Sequence, residues 1–376
     1  MVLKKILYTA TDIHGKEVSS FIDTNSNKEA IELLSEKGFT NIRFHDDIAT
    51  AIDRNSLDNL SDTELERIAK FEAAIRVKPR FMTFIIEVFR VNKILIISGV
   101  CLSLWGLYDA NRYLIAIGLI LSLSMPLRSI WNYRVVNGYD KLLRAYARGQ
   151  IEAATRQTEF LKKYMQQPEM AFDLDIRISA LNASHGDLNG EIVKLKSWRD
   201  CIDDLSPGMY ESRVASVYHL SGNYDKYVDS IREAFFKSSQ SPTLILDLAL
   251  AEARLGEIDK AEMLLKQVEP DELPIHGVPF VDWAEGMVEY RKGDSRAEEK
   301  LSSAVSGLFE FSENPAVWPS LAVCIGDYAL CVAADTSIDK AKVLLTHVWE
   351  ILRFHGEKKL INQLLNKYPN LNSKSI

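Results

Sequence analysis

The sequence predicts a multi-domain chain: a small α+β unit of ββαβ order, a two-helix transmembrane hairpin, and an all-α solenoid of stacked helix pairs. Three observations predict it. Strand-like runs and turn glycines fill the first 46 positions, two uncharged runs lie between residues 93 and 128, and five glycines recur at near-regular spacing after residue 139. The expected divisions are the ββαβ unit at 1–46, a linker with juxtamembrane helices at 47–90, the hairpin at 91–131, the repeat domain at 139–368 and a tail at 369–376. A chain of 376 residues leaves room for all of them.

Residues 3–10 (LKKILYTA) and 18–23 (VSSFID) read as strands joined by the turn Asp12-Ile13-His14-Gly15, where glycine supplies a φ that other residues resist. Asn25 or Ser26 can cap a helix whose apolar positions Ala30, Ile31, Leu33 and Leu34 share a face. Gly38 ends that helix, and Phe39 to Phe44 returns as a third strand. The pattern Tyr8-x-Ala10-x-Asp12-x-x-Gly15-Lys16-x-Val18, followed by Ala30-x-x-Leu33-Leu34-x-x-x-Gly38-Phe39, resembles the N-terminal unit of the inner-membrane platform proteins of type II secretion and type IV pilus systems. The resemblance implies a fold and a bacterial inner-membrane setting. It carries no activity over, because nothing after Asp46 follows the duplicated helical bundles of those proteins. Residues 46–60 read as linker, and Ser61-Asp62-Thr63-Glu64 opens a helix by a capping box, with Pro79 as its stop.

The runs ILIISGVCLSLWGLY, after Lys93, and YLIAIGLILSLSMPL, after Arg112, contain no charge. Each would cover about 22 Å as a helix, short of the roughly 30 Å hydrocarbon core. Val91 and Asn92 extend the first, and Ser129, Ile130 and Trp131 the second, with Arg128 able to snorkel. Asp109, Ala110, Asn111 and Arg112 supply the turn, and Trp105, Tyr108, Tyr113 and Trp131 sit where aromatic rings prefer the headgroups. The alternative is a buried hairpin inside a soluble domain. Charge asymmetry favours the membrane: Arg76, Lys78, Arg80, Arg90 and Lys93 precede the hairpin and Arg128, Arg134, Lys141, Arg144 and Arg148 follow it, against Arg112 alone in the turn. The positive-inside rule then places both termini in the cytoplasm. The apolar stretch from Phe81 to Phe89 suggests a juxtamembrane helix partly embedded in the interface, or one packed on the N-terminal unit.

From Tyr139 onward one arrangement repeats: helix, glycine, polar residue, helix. Gly149, Gly186, Gly222, Gly256 and Gly293 are separated by 37, 36, 34 and 37 residues. Leu248, Ala249, Gly256, Ala261 and Leu265 give the clearest unit, and Ala215, Tyr218, Gly222, Ile231 and Ala234 the one before, with Tyr227 in place of a crossing alanine. These residues resemble tetratricopeptide repeats, whose period is about 34 residues. Small residues let the two helices of a pair approach, and stacking on the next pair closes the core. The segment from Glu357 is expected to be a polar capping helix.

Composition excludes several classes of function. The net charge of −7 is concentrated after residue 134, where 28 Lys+Arg face 36 Asp+Glu, so no basic face awaits a phosphate backbone and nucleic acid is not expected as a partner. Cys101, Cys201, Cys324 and Cys331 form no C-x-x-C pair and read as reduced, mostly buried thiols. The apolar stretch after Lys4 and Lys5 is too short for a secretory signal. Nucleotide-binding, zincin and hydrolase motifs are missing, and the seven histidines are dispersed, so neither a catalytic residue, a metal site nor a cofactor is expected. His45-Asp46-Asp47 reads as solvated linker.

In such arrays the first helix of each pair lines the concave face. That places Ser212, Ser216 and His219 beside Leu246, Leu250 and Arg254, with Arg291 further on, as candidate partner contacts. The function expected is a non-enzymatic scaffold, tethered by two spans to a bacterial inner membrane and holding a protein or peptide partner on the cytoplasmic side. The alternatives are a soluble assembly factor whose hairpin is an oligomer interface, and an enzyme with a site between the ββαβ unit and the array.

Overall fold

The computed structural model describes residues 4–12, 15, 17–24, 26–45, 61–76, 81–238, 241–333, 335–369 and 371. The expected turn residues Ile13 and His14, the cap Asn25, the linker at 46–60, the stop at Pro79 and the tail beyond 371 lie outside them. The chain is mostly helical, with one small three-stranded antiparallel sheet near its start.

Strand β1 (Lys4–Thr11) is central, with β2 (Glu17–Thr24) and β3 (Thr40–His45) on either side in the order β2-β1-β3. The β1–β2 register runs Lys4 opposite Thr24 to Thr11 opposite Glu17, and Gly15 turns the hairpin at φ +80°. Helix α1 (Asn27–Glu36) is capped by Ser26, whose hydroxyl accepts from the Glu29 N–H, and ends before Gly38 at φ +83°. Only half of its expected apolar face is used. Ala30 and Leu34 are buried, four residues apart, while Ile31 and Leu33 are rotated off that stripe and exposed.

Helix α2 (Asp62–Arg76) begins with the reciprocal capping box: Ser61 N–H donates to Glu64 Oε2 at 3.0 Å, and Glu64 N–H to Ser61 Oγ at 3.4 Å. The capping box at Ser61 predicts this helix, and the structure makes it a core helix. It lies against β2 on one side, and on the other Phe71 sets its ring edge-on against Phe309 (6.0 Å) and Trp318 (5.9 Å) of the helical array. Arg144 and Arg148 donate to the carbonyls of Ala74 and Ile75, satisfying the helix end.

Helices α3 (Phe81–Val91) and α4 (Lys93–Tyr108) lead to α5 (Arg112–Ala147), capped by Asn111, whose side chain accepts from the N–H groups of Tyr113 and Leu114. Helices α4 and α5 pack closely because glycines face each other: a Cβ at Gly118 would lie 2.5 Å from Gly99 O and 2.3 Å from Ser103 Oγ. The large apolar side chains point away from this seam, with Ile94, Ile120 and Leu127 being 73%, 66% and 60% exposed. The second apolar run ends at Leu127, before Arg128, but the helix that carries it continues unbroken through Pro126 to Ala147 and into the array. One expectation needs correction here. Of the two apolar helices, α5 alone is long and apolar enough to cross a membrane; α4, with 16 residues, spans about 24 Å.

The array continues through α6 (Ile151–Leu161), α7 (Pro168–Ser184), α8 (Leu188–Leu195), α9 (Arg199–Leu205), α10 (Met209–Leu220), α11 (Tyr224–Lys237), α12 (Pro242–Leu255), α13 (Ile258–Leu265), α14 (Val278–Lys292), α15 (Ala297–Phe309), α16 (Trp318–Cys331), α17 (Asp335–His355) and α18 (Lys358–Lys367). Neighbours α10/α11, α12/α13, α14/α15 and α16/α17 form close pairs, with Ala215, Ala249, Ala261 and Gly286 buried within the array. Gly149, Gly186, Gly222 and Gly293 take positive φ, as the turns require, but Gly256 does not, at φ −109°. Its role is clearance: Glu252 folds its carboxylate over the turn to accept from Glu257 N–H, and a Cβ at Gly256 would lie 1.9 Å from that carboxylate.

The end of the array returns to its start. His355 Nε2 bonds Ala147 O at 3.1 Å, Phe354 packs directly on Gly149, and Lys358 N–H donates to Tyr224 Oη. The last helix, α18, expected as a polar capping helix, buries Leu360 and Leu364 against α16 and leaves Lys358, Lys359, Asn362, Gln363, Asn366 and Lys367 exposed.

Candidate binding cavity inside the helical array

Because the array curls back on itself, its inner face encloses a cavity of about 380 Å³, open on one side and lined from α5, α7, α10, α11, α12, α14, α16 and α17. Ser212, Ser216 and His219 reach it from α10, and Leu250 and Arg254 from α12. Arg291 does not line it, and Leu246 is core.

Most charged groups in the wall are bonded to one another. Arg254 donates from Nε to Asp327 Oδ2 at 2.8 Å and from Nη2 to Glu357 Oε2 at 2.7 Å. The other Glu357 oxygen lies 3.0 Å from His219 Nε2, and Trp283 Nε1–H donates to Asp327 Oδ2 at 2.9 Å. Arg254 therefore ties α12 to α16 and to the turn before α18, and its guanidinium stacks over the Trp283 ring at 5.3 Å. Arg254, read from the sequence as a candidate partner contact, reaches the cavity wall with its Nε and Nη2 bonded to two buried carboxylates. Arg291 is likewise bonded within the array. It donates to the carbonyls of Glu252, Ala253 and Gly256 at 3.0–3.1 Å, closing the C-terminus of α12, and lines a second, separate cavity.

The two carboxylates respond differently to the same arginine. Burial pushes both up, but Arg254 and His219 together hold Glu357 well below the usual carboxylate range. For Asp327 burial outweighs Arg254 and the net shift is upward. Burial lowers His355 to about 3, so the ring is neutral and its Nε2–H donates to Ala147 O. On the opposite wall Tyr139 Oη donates to Asp173 at 2.8 Å, and Arg177 grips the same carboxylate through two nitrogens at 2.9 and 3.0 Å.

Two charged residues in the wall are left over, and both escaped the sequence reading. Arg213 and Asp247 line the cavity and are accessible to solvent within it, and their side chains make no intramolecular hydrogen bond or ion pair among the described residues. Enclosure by the surrounding helices raises the Asp247 carboxyl to about 6, with Arg213 opposing the rise. The available signal was Asp247 as the lone charge in PTLILDLALA, three residues before Leu250 on a helical face. Ser216 donates to Arg213 O, so its hydroxyl is not paired with either histidine. Among the described residues no group of His, Cys, Asp and Glu could hold a metal ion. No protein-family profile matches the chain, and neither a curated protein nor a solved structure matches it.

Proposed function

We propose that the chain is a membrane-tethered, non-enzymatic scaffold whose helical array, built like tetratricopeptide repeats, holds a protein or peptide partner on the cytoplasmic side of a bacterial inner membrane. One observation carries the tether. Helices α4 and α5 bury glycine and serine between them and turn large apolar side chains outward, the inverse of a water-soluble helix pair. Lipid satisfies that surface; water does not. The resemblance of the N-terminal unit to platform proteins supports a bacterial inner membrane, and the charge asymmetry supports cytoplasmic termini. In this reading Ser212, Ser216, His219 and Leu250 remain candidate contacts, while Arg254 and Arg291 hold the surface in shape.

The short α4 favours a second reading, a soluble oligomer that buries the hairpin between subunits. Alkaline washing of membranes from cells expressing the full chain separates the two. The tether predicts that the protein stays in the pellet until detergent is added; recovery in the wash as an oligomer would support the second reading and end the first. Capture of one defined partner by the wild type but not by Leu250→Asp would test the inner face, and equal capture would exclude it.

A further inference from the structure

We infer that the cavity inside the array is a binding site for a small zwitterion, with Arg213 receiving its carboxylate and Asp247 its ammonium group. The cavity combines a cation on α10 and an anion on α12 whose side chains form no hydrogen bond or ion pair with each other or with another described residue. Their neighbours are committed: Arg177 to Asp173, Arg254 to Asp327 and Glu357, and His355 to a backbone carbonyl. Both side chains are open to solvent at the cavity, so each is available to a ligand group of opposite charge, and a ligand carrying one charge would engage only one of them. A zwitterion satisfies both.

The remaining surface fits the same class. The hydroxyls of Ser212, Ser320 and Tyr227 form no hydrogen bond among the described residues and are available to a ligand amide, and Phe280 supplies an apolar wall. A volume of about 380 Å³ holds an amino acid or a dipeptide but not an extended chain. The proposal goes beyond partner binding and stands whether or not the hairpin lies in lipid.

The test is calorimetric titration of the full chain in detergent at neutral pH with phenylalanine and with alanyl-phenylalanine, which differ in the separation of their charges. Binding by one and not the other identifies the source. The dipeptide is also titrated as its N-acetyl form and as its C-terminal amide, which keep one charge each and need no protein variant. The proposal predicts that at least one zwitterion binds, that each blocked form binds at least about tenfold more weakly, and that Arg213→Gln and Asp247→Asn each cause a comparable loss. Absence of binding by both zwitterions at millimolar concentration, equal binding of a blocked form, or indifference to both substitutions would overturn it.

Discussion

Replacing Arg254 by methionine isolates the contact that closes the array. The change keeps a long apolar stem but removes both charge-assisted hydrogen bonds, leaving Asp327 and Glu357 with side chains 5% and 4% exposed and no cation between them. Breaking a buried pair by removing one partner costs about 3–5 kcal/mol. A domain of this size loses about 2–4 °C in Tm per kcal/mol, so Arg254→Met should lower the Tm of the helical domain by roughly 6–20 °C. The pH dependence gives a second check. Glu357 has a folded pKa below its ordinary value of 4.5, so its contribution is complete above that pH and fades as the pH falls below it. In the variant that contribution is largely gone, so the gap between wild type and variant should narrow in acid. Thermal unfolding followed by circular dichroism between pH 3.5 and pH 7.5 reads both quantities, the window being set around about 4.5. A Tm loss under about 2 °C, or a gap that widens in acid, would refute the claim that this network holds the array closed.

Three further outcomes are expected. Phe71→Ala removes the aromatic anchor of α2 beneath Phe309 and Trp318 and should cost about 3–5 kcal/mol in chemical denaturation; a loss under about 1 kcal/mol would show that α2 is not part of the core. Gly118→Leu has no space, since its Cβ already meets backbone atoms of Gly99 and Ser103, so α4 and α5 should separate and a cysteine cross-link across their seam should fail to form; efficient cross-linking would contradict the close approach. Asp247 has a folded pKa of about 6 against an ordinary 3.8, so the folded state binds the extra proton and stability falls as pH rises through that interval. Asp247→Asn should flatten the Tm profile there, and an unchanged slope would show that the carboxyl is not shifted.

The parts of the fold legible in the sequence are those set by neighbours along the chain. Gly15, Ser26 and Gly38 mark the turns and cap of the ββαβ unit, and Ser61 with Glu64 marks the start of α2, because each acts within a few residues. The repeating glycines mark the helix pairs for the same reason. Even there Gly256 was legible only as a turn, since its clearance for Glu252 depends on a side chain folding back over it. What was hidden depends on contacts far apart in the chain. Nothing near Phe71 announces Trp318, and nothing near His219 or Arg254 announces Glu357, so neither the burial of α2 nor the closure of the array was readable. That closure decided the site. It bonded Arg254 to Asp327 and Glu357, and it brought Arg213 and Asp247, which the sequence did not single out, to the wall of one cavity.

The outward-facing apolar surface of α4 and α5 bears most weight, and the position of its turn relative to lipid is the direct measurement. In a background with the four native cysteines replaced by serine, single cysteines are placed at Ala110, between α4 and α5, and at Asp225 in α11. Intact spheroplasts are then treated with a maleimide that cannot cross membranes. The account predicts labelling at position 110 from outside, and at position 225 only after the membrane is permeabilised. Equal labelling of both sites in intact spheroplasts, or protection of both, would contradict it.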